Sequence, residues 1–306
     1  MEKLEKTKGI DVSIIIPAKD EETIIEKCLK AILNQKTAYK FEVLVIDSGS
    51  SDATIDVVNR FKSVKLINII PEKFGHGRTR NFGVKQSRGK YIVFLNADAI
   101  PINSFWLDSL IVPLEEDKSI AGVFSRHTPR EDCYLYMVRD IQTSMPEHKK
   151  LITRAGVFDT LLFSTVSSSV RRAIFEKTPF LDDIIIAEDQ EWAIRILNQG
   201  FKILYEPDSV VRHSHNYSNK ELFESKRKIG ATSIRFKSKF WVVTAGFLLM
   251  IGGIVAKTFG DIFYILCKSP RKTSWFSKFK EIKIGFLARL SSFRGRYQGW
   301  KGRFHE

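Results

Sequence analysis

Tyr91-Ile-Val-Phe-Leu-Asn-Ala-Asp98 decides how this chain is read. Its five leading residues are apolar and two are β-branched, as a strand buried on both faces requires. The run then stops at Asn96, Ala97 and a lone carboxylate, Asp98. A carboxylate at the carboxyl end of a buried strand can hold a hard divalent cation, which shares its coordination sphere with phosphate oxygens.

Outward from this run, the same pattern repeats. Residues 12–16 form another apolar, β-branched run, followed by Pro17-Ala-Lys-Asp-Glu-Glu22. Residues 21–35 then put Ile24, Ile25, Cys28, Leu29, Ile32 and Leu33 on one helical face. A strand over 42–46 leads into Asp47-Ser-Gly-Ser-Ser-Asp52, a helix over 54–61 and a strand over 64–69. A helix over 78–86 returns the chain to the strand at 91–95. This alternation predicts an α/β fold with a mainly parallel central sheet and helices on both faces. Ligands of such sheets sit at the carboxyl ends of the strands, where every polar cluster named here falls. After Pro101 the pattern is less regular: strands over 121–124 and 165–170, then a helix over 189–198 capped by Gly200.

Charge is distributed unevenly. The chain carries +14, and residues 235–306 hold fifteen Lys or Arg against three acids. The first 234 residues are nearly neutral. This separates a body, 1–234, from a basic tail, 235–306, that suits an anionic membrane surface; no nucleic-acid partner is expected. Residues 241–256 carry no charge, and a second apolar run covers 262–267. Sixteen helical residues span about 24 Å, short of the roughly 30 Å hydrocarbon core. Basic residues flank both ends, so a re-entrant hairpin bent near Gly252-Gly253 or Gly260 is expected, with a single span or a buried helix pair as the other options. Further on, Phe286, Phe293, Tyr297, Trp300 and Phe304 are interleaved with Arg289, Arg294, Arg296, Lys301 and Arg303. That mixture suits a peripheral, monotopic or re-entrant association with the cytoplasmic face of the membrane. The polar N-terminus shows no signal-peptide core, and three scattered cysteines are expected to be reduced and buried.

Each candidate side chain carries a plain reading beside a chemical one. Asp47 can accept the imide N–H of a uracil or thymine ring, or can cap its Ser/Gly turn. Asp52 reads as a helix cap, and Glu21 either as a ribose ligand or as compensation for a helix dipole. Phe74-Gly-His-Gly-Arg-Thr-Arg-Asn81 is a glycine-flexed loop whose Arg78 and Arg80 can grip phosphate oxygens, or a solvated basic turn. Glu188 and Asp189 either complement a helix N-terminus or supply a general base. His213 and His215, in Arg212-His-Ser-His215, can complete a cation site with Asp98; imidazole favours Mn²⁺ over Mg²⁺.

The segments Ser13-Ile-Ile-Ile-Pro-Ala-Lys-Asp-Glu21, Asp47-Ser-Gly-Ser-Ser-Asp-Ala-Thr54, Arg80-Asn-Phe-Gly83, Phe94-Leu-Asn-Ala-Asp98 and Glu188-Asp189 resemble the family 2 glycosyltransferases in residues, order and spacing. The resemblance implies a GT-A fold, a nucleotide-sugar donor, a divalent cation (Mn or Mg) and inversion at the anomeric carbon. By position it implies that Pro17, Ala18, Glu21, Asp47, Asn96 and Ala97 line the nucleotide, that Asp98 and His213 hold the metal, and that Asp189 is the base, with Glu188 beside it. Asn96 stands where many members carry the first Asp of an Asp-x-Asp motif. The stretch 74–81 is similar to the rhamnosyltransferase-like branch, which implies a UDP or dTDP hexose or deoxysugar. Three readings follow: transfer to a hydroxyl of a lipid-linked glycan, transfer to a polyprenyl phosphate itself, or a non-catalytic sugar-nucleotide-binding membrane scaffold.

Overall fold

The computed structural model describes residues 9–156, 161–233, 245–269, 271 and 274–302. The chain divides into two compact units: Met1–His127 with Met145–His213, and Thr128–Ser144 with Ser214–Glu306.

The first unit opens with β1 (Val12–Ala18), α1 (Ile25–Leu33), β2 (Phe41–Asp47), α2 (Thr54–Asn59), β3 (Val64–Asn68), α3 (His76–Lys85) and β4 (Tyr91–Leu95). β1 lies between β2 and β4, β3 lies outside β2, and all three pairings are parallel. Both faces of this sheet are buried, so the apolar runs need no alternation with polar residues. Ile14 and Ile16 pack with Val43, Val45 and α1 on one face; Ile15 packs with Leu44, Ile46 and Phe94 on the other.

Beyond β4 the sheet changes direction. β5 (Ile100–Pro101), α4 (Trp106–Glu116), β6 (Ile120–Thr128), β7 (Lys150–Ile152), β8 (Ser167–Arg171), α6 (Arg172–Phe175), α7 (Glu188–Asn198) and β9 (Lys202–Arg212) complete the unit. β8 is antiparallel to both β4 and β6, and β9 is antiparallel to β5 and β7. The parallel arrangement expected from the sequence therefore covers β1 to β4, and the rest of a nine-stranded mixed sheet extends it in the order β4-β8-β6-β9-β5. Gly200 ends α7 at φ +85°, the left-handed conformation a glycine cap supplies. Four buried polar groups tie the antiparallel strands to α4. The Trp106 indole N–H donates to Ser167 Oγ at 2.9 Å. Ser125 Oγ lies 2.6 Å from Ser167 Oγ and 2.7 Å from Ser209 Oγ. Ser209 donates to the Trp106 carbonyl at 3.2 Å.

The second unit is helical: α5 (Leu135–Ser144), α8 (Asn219–Ser233), α9 (Ala245–Phe263), a π-turn over Tyr264–Lys268, and α10 (Trp275–Gly302). α8 and α10 approach closely because glycines meet backbone. A Cβ on Gly230 would lie 2.6 Å from the Arg296 carbonyl oxygen, and Gly295 and Gly299 press on the Phe223 and Arg227 carbonyls. That close packing joins α8 to α10 within the second unit. It also recruits 128–144 through charge: buried Arg289 donates to Asp140 and Asp261 at 2.5–2.9 Å, and Arg139 pairs with Asp261 at 3.0 Å.

Two expectations are corrected here. α9 runs unbroken through Gly252, Gly253 and Gly260, so the expected bend is not there; a helical glycine costs about 1 kcal/mol without forcing a turn. Gly260 provides room, since a Cβ there would strike the Arg139 guanidinium. The chain turns instead at Ser269, with ψ 128°. Cys28 and Cys133 are buried as expected, but Cys267 is exposed. Residues 241–244 of the apolar run, with Arg235, Lys237, Lys239, Lys272, Arg303 and Phe304, lie outside the described residues.

Candidate active site

The ends of β1 and β2 carry a pair of interlocked loops. The Glu22 N–H donates to Asp52 Oδ2 at 3.0 Å, and the Ala53 N–H returns to Glu22 Oε2 at 2.8 Å. The Asp20 N–H donates to Ser50 Oγ at 2.9 Å, and the Ser51 N–H returns to Asp20 Oδ1 at 2.8 Å. The Glu21 N–H donates to Thr54 Oγ1 at 2.7 Å. Asp52 accepts from the Thr54 N–H, consistent with a helix cap. These reciprocal bonds fix the turn carrying Glu21, and the Ala18 carbonyl accepts from the Ser48 N–H at 3.0 Å. Asp47 is buried, and its Oδ2 accepts the N–H groups of Gly49 and Ser50 at 2.9 and 3.0 Å. Ser50 Oγ donates to its Oδ1. The turn-cap reading of Asp47 is thus realised; a carboxylate has about four acceptor sites, which leaves room for one further donor.

Asn96, Ala97 and Asp98 follow β4 as expected, with Ala97 and Asp98 buried. Asp98 Oδ2 lies 3.4 Å from His213 Nε2, at the end of β9. The His127 ring stands edge-on to His213 at 5.6 Å between centroids. Burial pushes the His127 pKa down to about 3, and the neighbouring His213 acts in the same direction. Its Nε2 is buried with no hydrogen-bond partner among the described residues. Asp98 and His213 make a mixed oxygen and nitrogen donor set. That set fits a borderline dication such as Mn²⁺. Nothing in the Arg126-His-Thr128 stretch marks His127 for this place; only the neighbouring strands bring it here. His215 belongs to the second unit.

Arg80 corrects two expectations. It is buried, donating to Glu188 Oε1 at 2.9 Å, to the His76 carbonyl at 2.9 Å and to Asn96 Oδ1 at 2.8 Å. Both Nη1 N–H groups are therefore spent on protein and Nη2 holds Asn96, which makes Arg78 the exposed phosphate candidate of this helix. Glu188 is likewise taken, as the buried partner of Arg80 rather than as a proton acceptor. Asn96 acquires a role: its amide oxygen receives the guanidinium, an assignment the donor-only arginine dictates. Glycines 75 and 77 do not flex a loop. Gly77 lies inside α3, where a Cβ would sit 2.9 Å from Phe180 Cβ and 3.5 Å from Glu188 Cβ; its absence lets α3 approach the base-bearing segment.

Asp189 remains. It is half-buried at the start of α7, accepting from the Thr165 N–H at 3.3 Å and the Gln190 N–H at 2.8 Å. Burial, then the adjacent Glu188 charge, push its pKa up to about 6. Such a carboxylate is ionised at neutral pH and still basic enough to take a proton. Ala187, just before it, is held in the left-handed region at φ +64°. Strained backbone of this kind is stored where geometry is over-determined.

Comparison with known proteins agrees with this geometry. The Glycosyl transferase family 2 model matches residues 13–178. The chain belongs to this family. It is 33% identical over 224 residues to the O-antigen chain rhamnosyltransferase RfbN of Salmonella typhimurium, covering 70% of this chain and 69% of the relative. It is 32% identical over 197 residues to the O-antigen chain rhamnosyltransferase WbaN of Salmonella anatum, covering 62% of each. Among solved structures, the mannosyltransferase PcManGT of Pyrobaculum calidifontis, in complex with GDP-Man and Mn²⁺, superposes with a TM-score of 0.64 at 18% identity, over 96% of this chain and 88% of that one. Residues 1–349 of S. aureus TarS superpose with a TM-score of 0.53 at 15% identity, over 97% and 92%. The fold of this family 2 glycosyltransferase is thus GT-A.

Proposed function

We propose that this glycosyltransferase moves a deoxyhexose of the rhamnose class from a UDP or dTDP donor to a hydroxyl of a lipid-linked glycan, with inversion, at the cytoplasmic face of the cell membrane. Similarity to two O-antigen rhamnosyltransferases over most of the chain supports the sugar class. The observation that carries the mechanism is the pairing of Asp189 with the Arg80–Glu188 ion pair. Arg80 fixes Glu188, burial and then the Glu188 charge raise the Asp189 pKa to about 6, and the ionised Asp189 takes the acceptor proton as the hydroxyl attacks the anomeric carbon. The departing diphosphate leaves from the opposite face, so the configuration inverts. Asp98 and His213 would hold a divalent cation that neutralises charge on that diphosphate. Arg78 adds a guanidinium for phosphate oxygens. The interlocked loops carrying Pro17, Ala18, Glu21 and Asp47 hold the nucleoside, with Asn96 and Ala97 beneath it.

A poised base favours a neutral hydroxyl acceptor over a polyprenyl phosphate, which is already anionic and needs no deprotonation. It also favours catalysis over a binding scaffold. The test is calorimetric titration of UDP and dTDP sugars with and without Mn²⁺, followed by transfer assays on the donors that bind. Heat from a dTDP or UDP deoxysugar, dependent on the cation, is the expected result. Binding of neither nucleotide class would sink the proposal.

A further inference from the structure

Helices α9 and α10 of the second unit expose an apolar face that the catalytic reading does not use. On α9, Ile251, Val255, Phe259 and Phe263 are exposed at steps of four residues, Phe259 by 69%. Each step rotates the helix by about 40°, so the four side chains share one stripe. On α10, Trp275, Phe276, Phe279, Phe286 and Leu290 are exposed, Phe276 by 83%. At about 100° per residue they fall within roughly 100° of arc. The inward faces are equally well defined. Asp261, Tyr264 and Ile265 are buried on one side of the turn, Ala288 and Arg289 on the other, and Gly285 lies against Tyr136.

Charge decides what covers the face. The acids of the described stretch 245–302 are Asp261 and Glu281. Asp261 is consumed by Arg139 and Arg289, and Glu281 accepts the Leu135 N–H at 3.0 Å. The outward charge is therefore cationic. Two of its members fold back on the apolar rim: Lys268 Nζ lies 5.6 Å from the Phe263 ring centre and Lys278 Nζ 5.5 Å from that of Trp275. Rings flanked by lysines, with no outward carboxylate, complement an anionic lipid headgroup layer and not a protein surface of mixed charge. Among the described residues no helix is long and apolar enough to cross a membrane. The buried Asp261–Arg289 pair also commits one side of each helix to protein, so lipid cannot surround either.

We propose that this face is a bilayer-docking surface on which α9 and α10 lie in the headgroup region of an anionic phospholipid leaflet. The aromatic side chains reach roughly 5–10 Å into the acyl boundary, and the lysines remain at the headgroups. The proposal rests on the membrane-face reading above and gives it a specific surface. The test is flotation of the full chain with phosphatidylglycerol-containing vesicles and with phosphatidylcholine vesicles, paired with donor calorimetry on the same preparations. Wild-type protein should float with the anionic vesicles. Phe259→Glu/Phe276→Glu should lower partitioning by about tenfold or more while donor binding is retained. Lys278→Glu/Lys280→Glu should lower partitioning to anionic vesicles and leave the weak binding to phosphatidylcholine unchanged. The proposal fails if wild-type protein stays unbound, if the Phe variant floats as well as wild type, or if sedimentation shows a dimer that the Phe substitutions dissociate. A wild-type protein that floats but binds no sugar nucleotide breaks the catalytic reading and leaves the docking face standing.

Discussion

The two halves of the central sheet hold their functional groups in different ways. On the parallel side, the loops after β1 and β2 satisfy each other through paired backbone and side-chain bonds, each donor matched by an acceptor. On the antiparallel side the groups are left in tension. Asp189 is pushed toward neutrality, the His127 nitrogen has no hydrogen-bond partner among the described residues, and Ala187 sits at positive φ. A donor pocket gains from being rigid before the ligand arrives. A proton acceptor gains from a raised pKa, which a fully satisfied carboxylate does not have. Arg80 joins the halves, with Asn96 on one side and Glu188 on the other.

Breaking the tense side should have the largest effect. Asp189→Asn should reduce transfer by roughly 10²–10⁴-fold while calorimetry finds donor affinity unchanged. Wild-type turnover in this variant would show that the base lies elsewhere. Wild-type kcat/KM should rise with pH through about 6, because Asp189 must lose its proton before it can accept another. Stability runs the other way. A carboxyl whose pKa is raised on folding binds protons more tightly in the native state, so stability falls as pH rises from about 4 to about 6 and is flat above. Asp189→Asn should therefore melt higher than wild type at pH 7, and the difference should vanish below about pH 4.

Cutting the junction comes next. Arg80→Met leaves Glu188 buried and unpaired, a loss of about 3–5 kcal/mol in urea denaturation. A stable variant would show that the two sides are independent. Asn96→Asp sharpens the same point. The new carboxylate faces Arg80, which should absorb its charge, so Mn²⁺ affinity should change by less than about tenfold. A larger gain in titration would mean that residue 96 turns to the cation. The smallest effect is expected at Ala187→Gly, which relieves a left-handed residue at some cost in unfolded-chain entropy. It should stabilise by about 1 kcal/mol or less, with a lower turnover if the strain holds Asp189 in place.

The same division governs what the sequence discloses. β1, β2 and β4 are continuous apolar runs, and Asp98 ends one of them, so both the strands and the carboxylate are readable from neighbours in the chain. The Arg80–Glu188 pair joins residues 108 positions apart, and no local pattern announces it. Local reading therefore assigned Arg80 to phosphate and let Glu188 share the base. Likewise, β8 is set against β4 and β6 by pairing across long loops. The α8–α10 crossing depends on three glycines that look unremarkable in helical stretches. The unbroken course of α9 through Gly252, Gly253 and Gly260 shows the converse: glycine permits a bend, but packing decides whether one forms.

The serines behind the site have a direction. Trp106 N–H can only donate, so Ser167 accepts from it. Ser209 uses its single proton on the Trp106 carbonyl, so it must accept from Ser125. Ser125 has then spent its own proton, and the bond between Ser125 and Ser167 must be donated by Ser167. The protons run one way around a closed circuit that begins and ends on the same tryptophan. Bonds in such a circuit polarise one another, and no hydroxyl can reverse without all of them reversing, which the indole forbids. Three strands of the antiparallel half thus share a lock with one allowed setting. A one-residue slip of any strand would carry its serine to the opposite face of the sheet and open the circuit.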